Sequence, residues 1–237
     1  MKKLIEFKNV HISLGNEILF EDISFSIYEG ERFMLTGKNG SGKSLLLELI
    51  ALGYTNDLKS RYKGLVVTGH IYDENGQDLL DPKTERSISY VTQTEDFYRN
   101  STLYKEAEIA CHGSGQPLNE DKLDQLLEAF ELTRKKHQKL KNNLSLGEGK
   151  LVHLLTRILQ LGSSKILLLD EPLNHLSFRN SKVFNEIMLQ EIANNPALTI
   201  VMVSHCRAIS FVNKSMEYNY KIGCMEEREY KSYDCFE

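Results

Sequence analysis

Cysteine is scarce in this chain and has no pattern. The four present, Cys111, Cys206, Cys224 and Cys235, contain no C-x-x-C spacing, which argues against a zinc site or a disulfide framework and for reduced thiols. Long apolar runs are missing as well: none approaches the roughly 18 residues that a membrane helix needs. No direct insertion into a membrane is expected, and any work at one goes through another protein. The start, Met1-Lys2-Lys3-Leu4-Ile5-Glu6, is basic like a secretory signal, but Glu6 and Lys8 interrupt the place of its apolar region, so the chain is expected in the cytoplasm. Excess positive charge is absent: 29 Lys and Arg against 33 Asp and Glu leave a net charge of -4, which gives no general attraction for nucleic acid. One local basic run, Arg134, Lys135, Lys136, Lys139 and Lys141, reads as a solvated helix end, with a phosphate-backbone contact as the lesser alternative. Neither an internal repeat nor a low-complexity segment occurs. What is present, 41% hydrophobic and 26% charged residues over 237 positions, suits a soluble globular protein with one large core or two small lobes.

The strongest signal is Gly37-Lys38-Asn39-Gly40-Ser41-Gly42-Lys43-Ser44, which meets the phosphate-loop pattern G-x-x-x-x-G-K-[ST] at every fixed position. Its flanks give the pattern meaning. Phe33-Met34-Leu35 before it reads as a buried strand, and Leu45 to Ile50 after it as a helix that closes near Gly53. Glycines there let backbone N–H groups face a polyphosphate, and the helix start adds partial positive charge. Lys43 is expected at the β and γ phosphates, and the Ser44 hydroxyl on Mg²⁺.

Residues 1–30 alternate in strand fashion, with turns near Gly15-Asn16 and Glu29-Gly30. Residues 54–86 are polar and read as turns with short strands. Residues 88–91 form another strand candidate. Residues 100–160 turn helical: Leu123, Leu126, Leu127 and Phe130 follow i, i+3, i+4, i+7, and a second helix, apolar on much of its surface, runs through residues 151–161 and closes at Gly162. Two continuous apolar strands, residues 165–169 and 199–203, suit a parallel sheet buried on both faces. Between them Phe178 to Asn194 reads as a helix.

Hydrolysis of a nucleotide needs an acid for Mg²⁺ and a group that handles the attacking water. Asp170 and Glu171 end the strand at 165–169, where ligands of a doubly wound sheet bind. Asp170 is expected in the Mg²⁺ shell and Glu171 beside the γ-phosphate as general base. A helix-capping acid pair is the plain alternative. His205 and Gln93 follow their strands in the same way, within reach of a γ-phosphate and of Mg²⁺ or water, although either alone would pass for a structural or solvated side chain.

Taken together, these residues resemble the ATP-binding cassette (ABC) ATPase family over nearly the whole chain, with its motifs in order. Residues 37–44 look like Walker A, Gln93 like the Q-loop glutamine, and Leu144-Ser145-Leu146-Gly147-Glu148 like the signature motif L-S-G-G-Q. Residues 166–172 are similar to Walker B with its catalytic Glu, and His205 to the switch histidine. The resemblance implies an α/β fold: a P-loop NTPase core of mainly parallel sheet flanked by helices, an N-terminal antiparallel β subdomain and an inserted helical signature lobe. It implies one ABC ATPase domain over residues 1–237, with the β subdomain and Walker A in 1–93, the helical lobe in 94–162, and Walker B, D-loop and switch histidine in 163–237. It further implies ATP with Mg²⁺ as cofactors, Lys43, Gln93, Glu171 and His205 as catalytic residues, and Ser44, Gln93 and Asp170 at the metal. Two cassettes, alike or different, would meet head to tail, so that Ser145 and the Gly147 backbone contact the partner's ATP.

Three positions depart from the family pattern. Leu14 stands where an aromatic side chain often stacks on adenine, and offers apolar contact without a π face. Leu146 replaces the first signature glycine. Ser177 replaces the aspartate that closes the family's D-E-P-x-x-x-L-D stretch, keeping an oxygen but losing the charge. The leading expectation is the ATPase subunit of a transporter at the inner face of the membrane, docked to a separate permease through residues 94–102 and the segment after them. The second is a cytosolic ABC ATPase acting on ribosomes, nucleic acid or an assembly complex. A purely regulatory cassette fits less well, because Glu171 and His205 are both present.

Overall fold

The computed structural model describes residues 1–93, 97, 101–141, 143–162, 164–205, 209–219 and 224–230. Strands β1 (Lys3–Leu14), β2 (Glu17–Tyr28) and β3 (Arg32–Thr36) lead into helices α1 (Lys43–Leu52) and α2 (Asn56–Arg61). Strands β4 (Leu65–Asp73) and β5 (Ile88–Val91) precede three helices, α3 (Leu103–Gly113), α4 (Glu120–Ala129) and α5 (Leu146–Leu159). The chain continues through β6 (Ile166–Asp170), α6 (Phe178–Asn194), β7 (Thr199–Val203), β8 (Lys214–Asn219) and β9 (Cys224–Glu229).

Two sheets result. The smaller is antiparallel, in the order β2-β1-β4. The larger runs β5-β6-β7-β3-β8-β9 and is parallel apart from the last pair. Period-two alternation sorts its side chains into two cores. Phe33, Leu35, Leu168, Val201 and Val203 join α1 and the small sheet in one cluster. Met34, Leu167, Leu169, Ile200 and Met202 join α3, α4, α5 and α6 in the other. The helical block thus shares its core with the sheet. Strands β6 and β7 are buried at every position, which is why they read as unbroken apolar runs.

The expected strands and helices are present, with two additions and one change of bounds: the helix expected over 151–161 begins earlier, at Leu146, and passes into a 3-10 turn at Gln160–Gly162. Residues 54–86 include a short helix, α2, capped by the Thr55 side chain on the Leu58 N–H; with a single buried side chain, Leu58, it carries no periodicity. The β8–β9 hairpin is polar and gives no apolar run. The basic run is no helix end: Thr133–Lys135 form a 3-10 turn. Lys135 pairs with Glu148 at 2.6 Å and Lys136 with Asp124 at 2.6 Å, so two of its charges are spent inside the chain. Residues 94–96 and 98–100 of the expected docking segment lie outside the described residues.

Candidate functional site: a phosphate loop and three strand ends

Among the described residues, five of the six α-helices have a side-chain N-cap: Thr55, Thr102, Asn119, Ser145 and Ser177. Helix α1 has none. Its N-cap is Gly42 at φ 86°, a left-handed conformation that costs a β-carbon-bearing residue stability. A Cβ there would also stand 2.9 Å from Phe20 Cε2. The first-turn N–H groups of α1 are therefore not met by a side chain and suit an anion. Lys43 folds back over the same loop, donating to the carbonyls of Gly37 at 3.0 Å and Lys38 at 2.7 Å and to Ser41 Oγ at 3.3 Å. Burial lowers its pKa, partly offset by the charges of Glu171 and Asp170. The ammonium is thus held at the loop by acceptors that a phosphate oxygen can replace.

The ends of three neighbouring parallel strands face this loop. The Ser44 hydroxyl donates to Asp170 Oδ1 at 3.0 Å. Burial pushes the Asp170 carboxyl up to about 6, against the favourable Ser44 bond, with Glu171 adding to the rise. Glu171 is buried, at a positive φ of 47°, a sparsely populated conformation for a residue with a side chain. Its N–H is tied to the Val203 carbonyl at 2.8 Å, and its Oε2 accepts from the His205 N–H at 3.2 Å. His205 Nε2 lies 3.4 Å from Glu171 Oε1, and the ring is exposed. A cleft of about 470 Å³ is lined by residues 39–45 of the loop and helix start together with Leu14, Tyr62, Gln93, Glu171 and His205. A larger cavity of about 670 Å³ lies at the opposite ends of β5 and β6 and touches none of these residues.

The donors match a hard divalent cation. Ser44 Oγ and Asp170 Oδ1 are oxygen ligands already in contact, and no group of three or more His, Cys, Asp or Glu side chains gathers among the described residues. One carboxylate and one hydroxyl, with substrate phosphates and water for the rest, is how Mg²⁺ is commonly held.

Residues 20–174 match the ABC transporter family. The chain belongs to that family. It has the P-loop NTPase fold of that family. Among relatives, it is 31% identical over 207 residues to the methionine import ATP-binding protein MetN of Clostridium acetobutylicum, covering 85% of this chain and 61% of that protein. It is 28% identical to the zinc uptake system ATP-binding protein ZurA of Listeria monocytogenes, covering 94% of this chain and 85% of that one. The chain therefore spans less than two thirds of the first relative's length. A solved ATP-binding subunit of an ABC transporter superposes with a TM-score of 0.74 at 22% identity, over 95% of this chain and 90% of that one, and shows the shared fold.

The ABC motifs do not all meet in one place within the chain. Ser145, Gly147, His175 and Ser177 line a separate surface depression. Ser145 caps α5 in a capping box with Glu148: its Oγ accepts from the Glu148 N–H at 3.3 Å and donates to Glu148 Oε2 at 3.0 Å. Gly147 stands inside the first turn of α5 rather than ahead of the helix. A Cβ on it would approach the His175 carbonyl oxygen to 2.6 Å, so glycine is demanded here by packing within the chain itself. Leu146 is 70% exposed between them. Ser177 caps α6, accepting from the Asn180 N–H at 3.2 Å. Tyr62 and Lys150 belong to no motif. Tyr62 lines the cleft, with burial and the nearby Glu48 charge raising its hydroxyl to about 12.

Proposed function

We propose that this chain is the ATP-binding and hydrolysing subunit of an ABC transporter, working at the inner face of a membrane through a separate permease. The observation that carries the reading is the convergence of Lys43, the Ser44–Asp170 pair and the Glu171–His205 pair on one cleft at the phosphate loop. The uncapped start of α1 binds the β and γ phosphates of ATP, and Lys43 exchanges its loop carbonyls for phosphate oxygens. Ser44 and Asp170 hold Mg²⁺, with Gln93 beside them. When bound, Mg²⁺ neutralises charge on the phosphates. Glu171 takes the proton of the attacking water, and His205, braced on the same carboxylate, holds the γ-phosphate side of the cleft. Leu14 gives the base an apolar contact.

The separate placement of Ser145 and Gly147 supports completion of the site by a second cassette, whose ATP these residues reach head to tail. Among the described residues no helix is long and apolar enough to cross a membrane, and the relatives above are named as ATP-binding proteins of import or uptake systems. Both features favour a partner that supplies the membrane path, docked through residues 94–102 and the segment after them. The test is isolation of the tagged protein from its own cell in mild detergent, with Mg²⁺ and a non-hydrolysable ATP analogue. A stoichiometric multi-span membrane protein is expected. Ribosomes, nucleic acid or a soluble assembly in its place would overturn the transporter reading in favour of a cytosolic machine.

A further inference from the structure

Lys150 is fully buried, at 0% exposure. Taking an ammonium out of water costs several kcal/mol unless good partners compensate. Two partners are backbone carbonyls: Nζ donates to Thr92 O at 2.9 Å and more weakly to Gln93 O at 3.4 Å. These are the two residues that follow β5, and Gln93 is the exposed side chain on the wall of the nucleotide cleft. One turn further along α5, His153 is also buried, facing the Tyr90 carbonyl; burial and the charges of Arg157 and Lys150 push its imidazole down to about 3. Helix α5 is thus fastened along one face to the end of β5 and the loop beyond it.

We infer that Lys150 is a positioning residue for turnover: its ammonium clamps the backbone at Thr92 and Gln93, aims the Gln93 amide into the cleft, and joins it to the helix that begins at Ser145. Lys150 lies five positions beyond the Ser145 cap, a rise of roughly 7.5 Å. That length is too short to bend appreciably, so displacement of the Gln93 backbone is passed to the start of α5 and to Gly147. Lys150 itself does not line the cleft, so its action on ATP is indirect. The inference rests on the ATPase reading of Gln93, and goes beyond it by assigning what holds that residue and what moves with it.

A double-mutant cycle on turnover tests this, with Lys150→Met, Gln93→Ala and the pair in the full chain. Lys150→Met keeps the stem and removes the donors. It is expected to lower kcat about ten- to hundredfold, the range of a misplaced positioning group, with ATP affinity unchanged within about twofold. Gln93→Ala should lower kcat similarly, and the pair should be no worse than the poorer single variant. Lys150→Gln, which returns neutral N–H donors, should recover part of the rate. Independent multiplication of the two losses, or loss of rate only in proportion to loss of folded protein, would overturn the clamp. A parent chain that binds but never hydrolyses ATP would sink the ATPase reading instead. Hydrogen exchange then decides the clamp on its own: faster exchange in the peptide spanning residues 90–93 of Lys150→Met supports it, and unchanged exchange overturns it.

Discussion

Asp170 illustrates how a binding residue is held at a cost to the fold. Its carboxyl titrates near 6 in the folded chain against an ordinary 3.8, because burial disfavours the charge. Between those values the folded chain keeps a proton that the unfolded chain has released. Stability from this group therefore falls as pH rises through that window, and by neutral pH the cost is on the order of 2–3 kcal/mol. A bound cation relieves it. Asp170→Asn retains an acceptor for Ser44 without the charge. It should raise the melting temperature of the nucleotide-free protein at about pH 7.5 more than at about pH 4, following the linkage, while Mg²⁺-dependent turnover is lost. A variant melting lower than the parent at the higher pH would contradict this. The motif reveals that Asp170 is an acid at a strand end; its pKa comes from burial, which no spacing records. Lys150 is less legible still. It stands at the start of the apolar stretch of α5, and the carbonyls of Thr92 and Gln93 that meet its ammonium come from a segment distant in sequence.

Elements with a strong period are readable in the sequence itself. Helix α6 runs Phe178–Asn194 as expected, and β6 and β7 follow from their apolar runs, because burial on two faces leaves no room for polar interruption. Helix α2 escaped because six residues with one buried leucine make no pattern, and the polar β8–β9 hairpin because its order comes from backbone pairing with β3 and with itself. The turn from β6 to α6 is the element where sequence and function diverge. Ser177 stands where the family usually has aspartate, and here it caps α6. Aspartate is an equally good cap, so Ser177→Asp should leave the melting temperature nearly unchanged while adding charge to the surface shared with Ser145 and Gly147. ATPase activity is expected to rise if the missing charge limits coupling between the two sites of a dimer. An unchanged or lower rate, with stability intact, would count against that role.

At the scale of the whole molecule, the large sheet divides the described residues into two cores and presents the ends of β3, β5, β6 and β7 along one rim. That arrangement brings together Ser44, Gln93, Asp170, Glu171 and His205 from segments up to 161 positions apart. Strand-end placement suggested their co-location, and the family resemblance was needed to include Gln93 and His205, which alone pass for solvated or structural side chains. The resemblance already set Ser145 and Gly147 apart from the phosphate loop; what could not be read was the depression they share with His175 and the close packing of Gly147 on the His175 carbonyl. On the proposed reading one chain would hold one half of each of two composite sites, with Glu171 as the base that makes the assembled site hydrolytic. The direct test measures ATP affinity, turnover and oligomeric state together in Glu171→Gln, which keeps shape and an acceptor but cannot take a proton. The account predicts ATP affinity close to the parent, a longer-lived ATP-bound dimer and turnover lowered at least about a hundredfold, as for loss of a general base. Turnover at the parent rate would contradict it.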